Sequence, residues 1–180
     1  MKRLLSGLAA LALLSPVAGW AETPAADMET STFGAWTMRC TRQVEAGAAA
    51  CDMMQTVNNR DTGQTVMQAS FAYLADQKQY VAQVVLPLGF LISAGVLVRI
   101  DGGPDITDWP VTRCEAGGCF VEKIIPAETL APFRAHEKGM VVVLDTKGQP
   151  QAFPLDLKGF ASAMDLMTKR NQDQAKEKAK

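Results

Sequence analysis

The sequence predicts an all-β fold of the sandwich or barrel kind, on three observations. Short apolar runs of strand length recur from residue 33 onward, each bounded by Gly, Pro, Asn or Asp. Helical spacing of apolar residues appears only near the C-terminus. Four cysteines follow an N-terminal export-type segment, as in small domains stapled by disulfides.

The segment 1–21 reads as a signal peptide. Lys2 and Arg3 supply the positive start, Leu4 to Leu14 is nearly all apolar, and Gly19-Trp20-Ala21 places small residues at −3 and −1 of a cleavage site. The apolar run falls short of the roughly 20 residues a spanning helix needs, so cleavage after Ala21 is expected rather than retention as an anchor. Without Lys2 and Arg3, 16 basic residues face 19 acidic ones. That balance offers no positive field to displace counterions from phosphate, which argues against nucleic acid as a partner. Residues 22–31 are polar, with Pro24 and several alanines, and read as a flexible leader.

From there the elements follow in order. Phe33 to Cys40 reads as a strand, Thr41 to Ala50 as a loop, and Cys51 to Val57 as the next strand. Asn58-Asn59-Arg60-Asp61-Thr62-Gly63 is turn chemistry. Gln64 to Leu74 and Gln79 to Leu86 make two more strands. Pro87-Leu88-Gly89 ends the second, because proline cannot donate to a ladder. Val96 to Ile100 alternates strictly and stops at Asp101-Gly102-Gly103-Pro104. Trp109 to Cys114 and Cys119 to Ile125 read as a hairpin around Glu115-Ala116-Gly117-Gly118.

A short helix is expected near 127–136, limited by Pro132 and ended by Gly139. Met140 to Leu144 is unbroken apolar sequence and predicts burial of both faces. Ala152 to Leu157 is the last strand. Phe160, Ala163, Met164 and Met167 then recur at helical spacing, predicting a helix near 159–169 whose methionine stripe packs the core. Residues 169–180 have no periodic apolar face and carry five basic residues against two acidic ones. They read as a charged disordered tail capable at most of peripheral membrane contact, and trimming them is expected to leave thermal stability nearly unchanged.

Cys40, Cys51, Cys114 and Cys119 allow three pairings. Proximity favours Cys40–Cys51 and Cys114–Cys119, each closing a short loop and stabilising by about 2–3 kcal/mol on chain-entropy grounds. Zinc is disfavoured because neither pair has knuckle spacing and the only histidine, His136, lacks a companion ligand. There is no Cys-x-x-Cys for thiol exchange.

Three places in the sequence carry groups of catalytic type. Ser93 lies in Leu91-Ile92-Ser93-Ala94-Gly95, without the glycine two residues before it that a nucleophile elbow needs. His136 stands in a polar stretch and reads as a surface histidine. Asp101, Asp105 and Asp108 form the densest acidic cluster. They could hold calcium or act as an acid–base pair, but match no EF-hand loop and sit among turn residues. No catalytic, cofactor-binding or metal-ligating residue is therefore assigned.

A set of motifs in fixed order carries one resemblance. It comprises Phe33-Gly34-x-Trp36-x-x-x-Cys40, Cys51 with Gln55, Leu86-Pro87-Leu88-Gly89, Gly95-Val96 and Asp101-Gly102. Cys114-x-x-x-Gly118-Cys119 and Pro154-Leu155-x-Leu157-x-Gly159-Phe160 complete it. Together they resemble the invasion-associated locus B family of α-proteobacterial envelope proteins, over about 32–168. The resemblance implies an immunoglobulin-like β-sandwich, the four cysteines as disulfides, and structural duties for Trp36, Pro87, Gly89, Gly118, Gly159 and Phe160. It implies no catalytic residue and no cofactor. It implies location in the periplasm, with outer-membrane association or secretion as variants, and work through envelope proteins, including support of host-cell invasion. Two other readings stay open: an accessory or chaperone-like subunit of an envelope complex, and a hydrolase or redox enzyme with an unfamiliar site.

Overall fold

A computed structural model describes residues 28–41 and 48–178. The signal segment and most of the leader lie outside the described residues. Among the described residues, eleven strands form two antiparallel sheets, and one continuous core lies between and beside them.

The seven-stranded sheet has the order β1-β2-β3-β4-β5-β9-β8. Its strands are β1 (Met28–Phe33), β2 (Trp36–Thr41), β3 (Cys51–Asn58), β4 (Thr65–Leu74), β5 (Gln79–Leu86), β8 (Arg113–Glu115) and β9 (Gly118–Ile125). The four-stranded sheet, ordered β11-β10-β6-β7, is built from β6 (Val96–Ile100), β7 (Asp105–Trp109), β10 (Lys138–Leu144) and β11 (Pro150–Asp156). A 3-10 turn, Ala127–Leu130, runs into the short helix α1 (Ala131–Ala135), and the chain closes with α2 (Phe160–Lys178).

The two-residue periodicity explains the larger sheet. Met38, Met53, Phe71 and Ala82 are successive cross-strand partners, all buried on one face. Val84 and Val121 continue that face toward β9. One side of the sheet is covered by α2, which packs on β1 to β4. The rest of the core comes from Val98, Ile100, Val141, Val143 and Leu155 of the smaller sheet.

An aromatic chain ties the layers together. Trp36 meets Phe71 and Phe160 edge-on at centroid distances of 5.7 and 5.2 Å. Phe160 meets Phe133 of α1 at 5.6 Å, and Phe133 stacks on Trp109 of β7 at 6.5 Å.

The sandwich and both helices lie where the sequence puts them, with four corrections. Met28 to Ser31 are not leader but strand, paired residue for residue with β2. Trp109 belongs to β7 in the smaller sheet, so the cysteine hairpin is shorter than expected and starts at Arg113. Only one face of β10 is fully buried; Met140, Val142 and Leu144 are half-covered. The C-terminal residues are not a disordered tail, because α2 continues to Lys178 and Asn171 is buried within the fold.

Candidate functional site

The acidic cluster disperses once folded. Asp105 takes hydrogen bonds from Arg99, the shortest being Nε to Oδ1 at 3.0 Å and Nη2 to Oδ2 at 2.9 Å, which hold its carboxyl below the usual aspartate range. Asp108 pairs with Lys123 of β9 at 2.6 Å. Asp101 sits in the exposed turn after β6, its N–H donating to Lys138 O at 3.0 Å. Among the described residues, no three His, Cys, Asp or Glu side chains converge on a metal-sized site.

Ser93 is exposed in a 3-10 turn, Ile92–Ala94, before β6. His136 follows α1 and lies against the turn after β6, where a Cβ on Gly103 would sit 3.4 Å from its Nε2. The two residues are thus at opposite ends of β6, too far apart for a nucleophile–base pair.

Both expected disulfides are present. Cys40–Cys51 and Cys114–Cys119 are direct cross-strand partners, with Cα atoms 4.1 and 4.0 Å apart. Among the described residues no cysteine is free.

The motif residues take structural positions. Trp36 Nε1 donates to Asp156 O at 2.8 Å, joining β2 to the last strand, β11. Gly34 and Gly159 back onto one another at positive φ. A Cβ on Gly34 would meet Lys158 O at 2.4 Å, and one on Gly159 would meet Phe33 O at 2.3 Å. Gly118 likewise lets the cysteine hairpin cross Leu86 O, which a Cβ would approach to 2.5 Å.

Two buried amides do work that the sequence reading did not assign. Gln55 is 5 % exposed; its Nε2 donates to Asp156 O at 2.7 Å and its Oε1 accepts from Asp156 N at 3.0 Å. Asn171 is 3 % exposed and serves Cys51 and Tyr73 in the same way. The signal for Gln55 was available: it occupies an inward position of an alternating strand, where an unpartnered amide would be costly.

What the molecule offers to solvent is an apolar loop. After Pro87 closes β5, Leu88 and Ile92 are 57 % and 52 % exposed, with Phe90 and Leu91 half-covered between them. The loop is held at its centre: Leu91 N donates to Leu144 O at 2.8 Å, and Phe90 bridges to Asp145. Beside it opens a cleft of about 520 Å³, lined by Val66, Gln68, Val85, Leu88, Ala116 and Gly117 among others, none of them charged. Such a lining suits apolar and neutral groups and offers a charged ligand no partner. On β9, Glu122 is held by Gln83, Arg113 and Thr112.

Comparison with known proteins accords with this arrangement. The family model described as Invasion associated locus B (IalB) protein matches residues 36–168. Invasion protein B homologs of Brucella abortus, from strains 2308 and 9-941, are each 28 % identical over 137 residues, covering 74 % of this chain and 76 % of theirs. The crystal structure of invasion associated protein b from Bartonella henselae superposes with a TM-score of 0.71. It is 23 % identical, with 81 % of this chain and 98 % of that one covered, and shows the same fold.

Proposed function

The chain belongs to the Invasion associated locus B family, and we propose that it is an exported, non-enzymatic envelope protein acting through protein–protein contact. Its place is the periplasm, at or near the outer membrane. The observation that carries this is the exposed apolar loop Leu88 to Ile92, pinned beside an uncharged cleft. Exposed apolar surface that is held in place, rather than tucked away, marks an interaction site. The two disulfides support maturation in an oxidising compartment. The names of its relatives support a part in host-cell invasion for a bacterium that invades.

The basic residues near the C-terminus are poorly suited to holding anionic lipid. Lys169 and Lys176 both pair with Asp173, and Arg170 pairs with Glu29. The contact surface is the loop instead.

The experiment is crosslinking in intact cells with a photoreactive residue at Leu88, followed by mass spectrometry. One recurrent envelope protein is expected, with recovery lost in the double variant Leu88→Asp, Ile92→Asp at unchanged thermal stability. Equal recovery from Leu88 and from a probe at Gln77, in the β4–β5 turn at the far end of β5, or a partner indifferent to the double variant, would overturn the loop as the contact surface.

A further inference from the structure

A β-sandwich with open sheets has four edges, each a row of unpaired N–H and C=O groups that could recruit another strand. Three of them are closed to such pairing. β11 carries Pro150 and Pro154, which remove two donors from its edge. β7 is broken by an irregular register opposite β6 and is followed by Pro110. β8 is three residues long.

The fourth edge, β1, has none of these protections. All six of its residues pair with β2 in an unbroken register, with no proline and no bulge.

The direction of its free groups follows from the ladder. Thr41 N donates to Ala50 O at 2.9 Å, so alternate residues of β2 (Thr37, Arg39, Thr41) bond toward β3. The intervening Trp36, Met38 and Cys40 bond toward β1, opposite Phe33, Ser31 and Glu29. Met28, Thr30 and Thr32 are left with their backbone N–H and C=O directed outward.

We propose that this edge pairs with β1 of a second copy, antiparallel and centred on Thr30, fusing two seven-stranded sheets into one. The strand is self-complementary in that register. Outward-directed residues oppose one another, Thr30 to Thr30 and Met28 to Thr32, which is the condition for a hydrogen-bonded ladder. Its only charge, Glu29, faces Ser31 of the partner and remains free to keep its 3.1 Å bond to Arg170. Shifting the centre to Glu29 would oppose two carboxylates, which destabilises a pair. Shifting it to Ser31 would run the ladder into the turn at Gly34. Threonine pairs across strands are favourable contacts. A ladder this short buries less than the roughly 1,000 Å² of a lasting complex, so the dimer is weak and grows with concentration.

The test uses the full mature chain. Sedimentation velocity across a concentration series should show reversible dimerisation. Thr30→Pro should weaken it at least tenfold with little loss of thermal stability, because the N–H removed faces away from β2. Ser31→Pro should instead damage the fold, because its N–H faces β2. A Thr30→Cys variant should form a disulfide-linked dimer under mild oxidation, and Thr62→Cys, in the distant β3–β4 turn, should not. A monomer at every concentration, a dimer indifferent to Thr30→Pro, or equal crosslinking at Thr62 would each overturn the proposal. So would a chain that stays monomeric yet pairs through β1 with a strand from another envelope protein. Should Thr30→Pro fold poorly, the crosslinking pair decides alone.

Discussion

The side-chain amide of Asn171, in the second half of α2, completes the backbone bonding of Cys51: Cys51 N donates to Oδ1 at 2.7 Å, and Nδ2 donates to Cys51 O at 2.9 Å. The same Nδ2 reaches Tyr73 O at 3.0 Å. The amide therefore stands in for a rung of the β3–β4 ladder, whose register begins one residue later at Asp52 and Ala72.

Replacing Asn171 by Ala leaves those buried backbone groups unpaired. A loss of about 3 kcal/mol is expected, read from denaturant midpoints at unchanged slope. For the same reason, ending the chain at Thr168 should lower the melting temperature by about 5 °C or more. An unchanged melting temperature would mean that the last turns of α2 do not dock.

Gly34→Ala and Gly159→Ala should each destabilise by at least about 2 kcal/mol, since both combine positive φ with a Cβ driven onto a backbone carbonyl. Gly63→Ala is the control. Its φ of +69° is similar, but nothing lies within 4 Å of the added carbon, so the cost should be nearer 1 kcal/mol. Equal costs at all three sites would show that conformation, not the close crossing, governs.

The two buried tryptophans should respond differently to phenylalanine. Trp36 loses its hydrogen bond to Asp156 O, whereas the indole N–H of Trp109 is buried without a partner. Trp36→Phe should therefore cost about 1 kcal/mol more than Trp109→Phe by calorimetry or chemical denaturation.

Acid should destabilise the fold. Hydrogen bonds from Arg99 lower the Asp105 pKa, and hydrogen bonds from Lys169 lower that of Asp173. Burial pushes Glu122 upward, but Gln83, Arg113 and Thr112 outweigh it and bring it down. A carboxylate lowered by folding adds stability above its unfolded pKa and loses it as pH falls through the folded one. Stability should thus fall below about pH 4. Asp105→Asn and Glu122→Gln should each show a smaller drop than the wild type between about pH 7 and about pH 3. An identical drop in both variants would exclude these pairs as contributors.

Much of the sandwich could be read from the chain because its inner strands alternate. Val96 to Ile100 and Gln79 to Leu86 were bounded as found, since one face is core and the other is not. β1 escaped notice because an edge strand is exposed on both sides: Met28-Glu29-Thr30-Ser31-Thr32 has no apolar rhythm to show. β7 was hidden by its aspartates and flanking prolines, which look like turn residues. The end of α2 was misread because a polar residue, Asn171, and not an apolar stripe, fastens it. The cysteine pairing was legible from spacing. The exposure of Leu88 and Ile92 was not, because an apolar residue beside a proline turn reads the same whether it is tucked in or displayed.

Both covalent staples lie within one layer. Cys40–Cys51 joins β2 to β3 and Cys114–Cys119 joins β8 to β9, all in the seven-stranded sheet. The four-stranded layer has no covalent staple among the described residues and is held by packing, hydrogen bonds and exposed ion pairs, so it is the natural place for the molecule to open first. Amide hydrogens of Val98 and Val141 should then exchange with heavy water sooner than those of Met53 and Val84, although all four residues are equally out of solvent's reach in the closed form. The larger sheet would survive as a ribbon while its lid breathes.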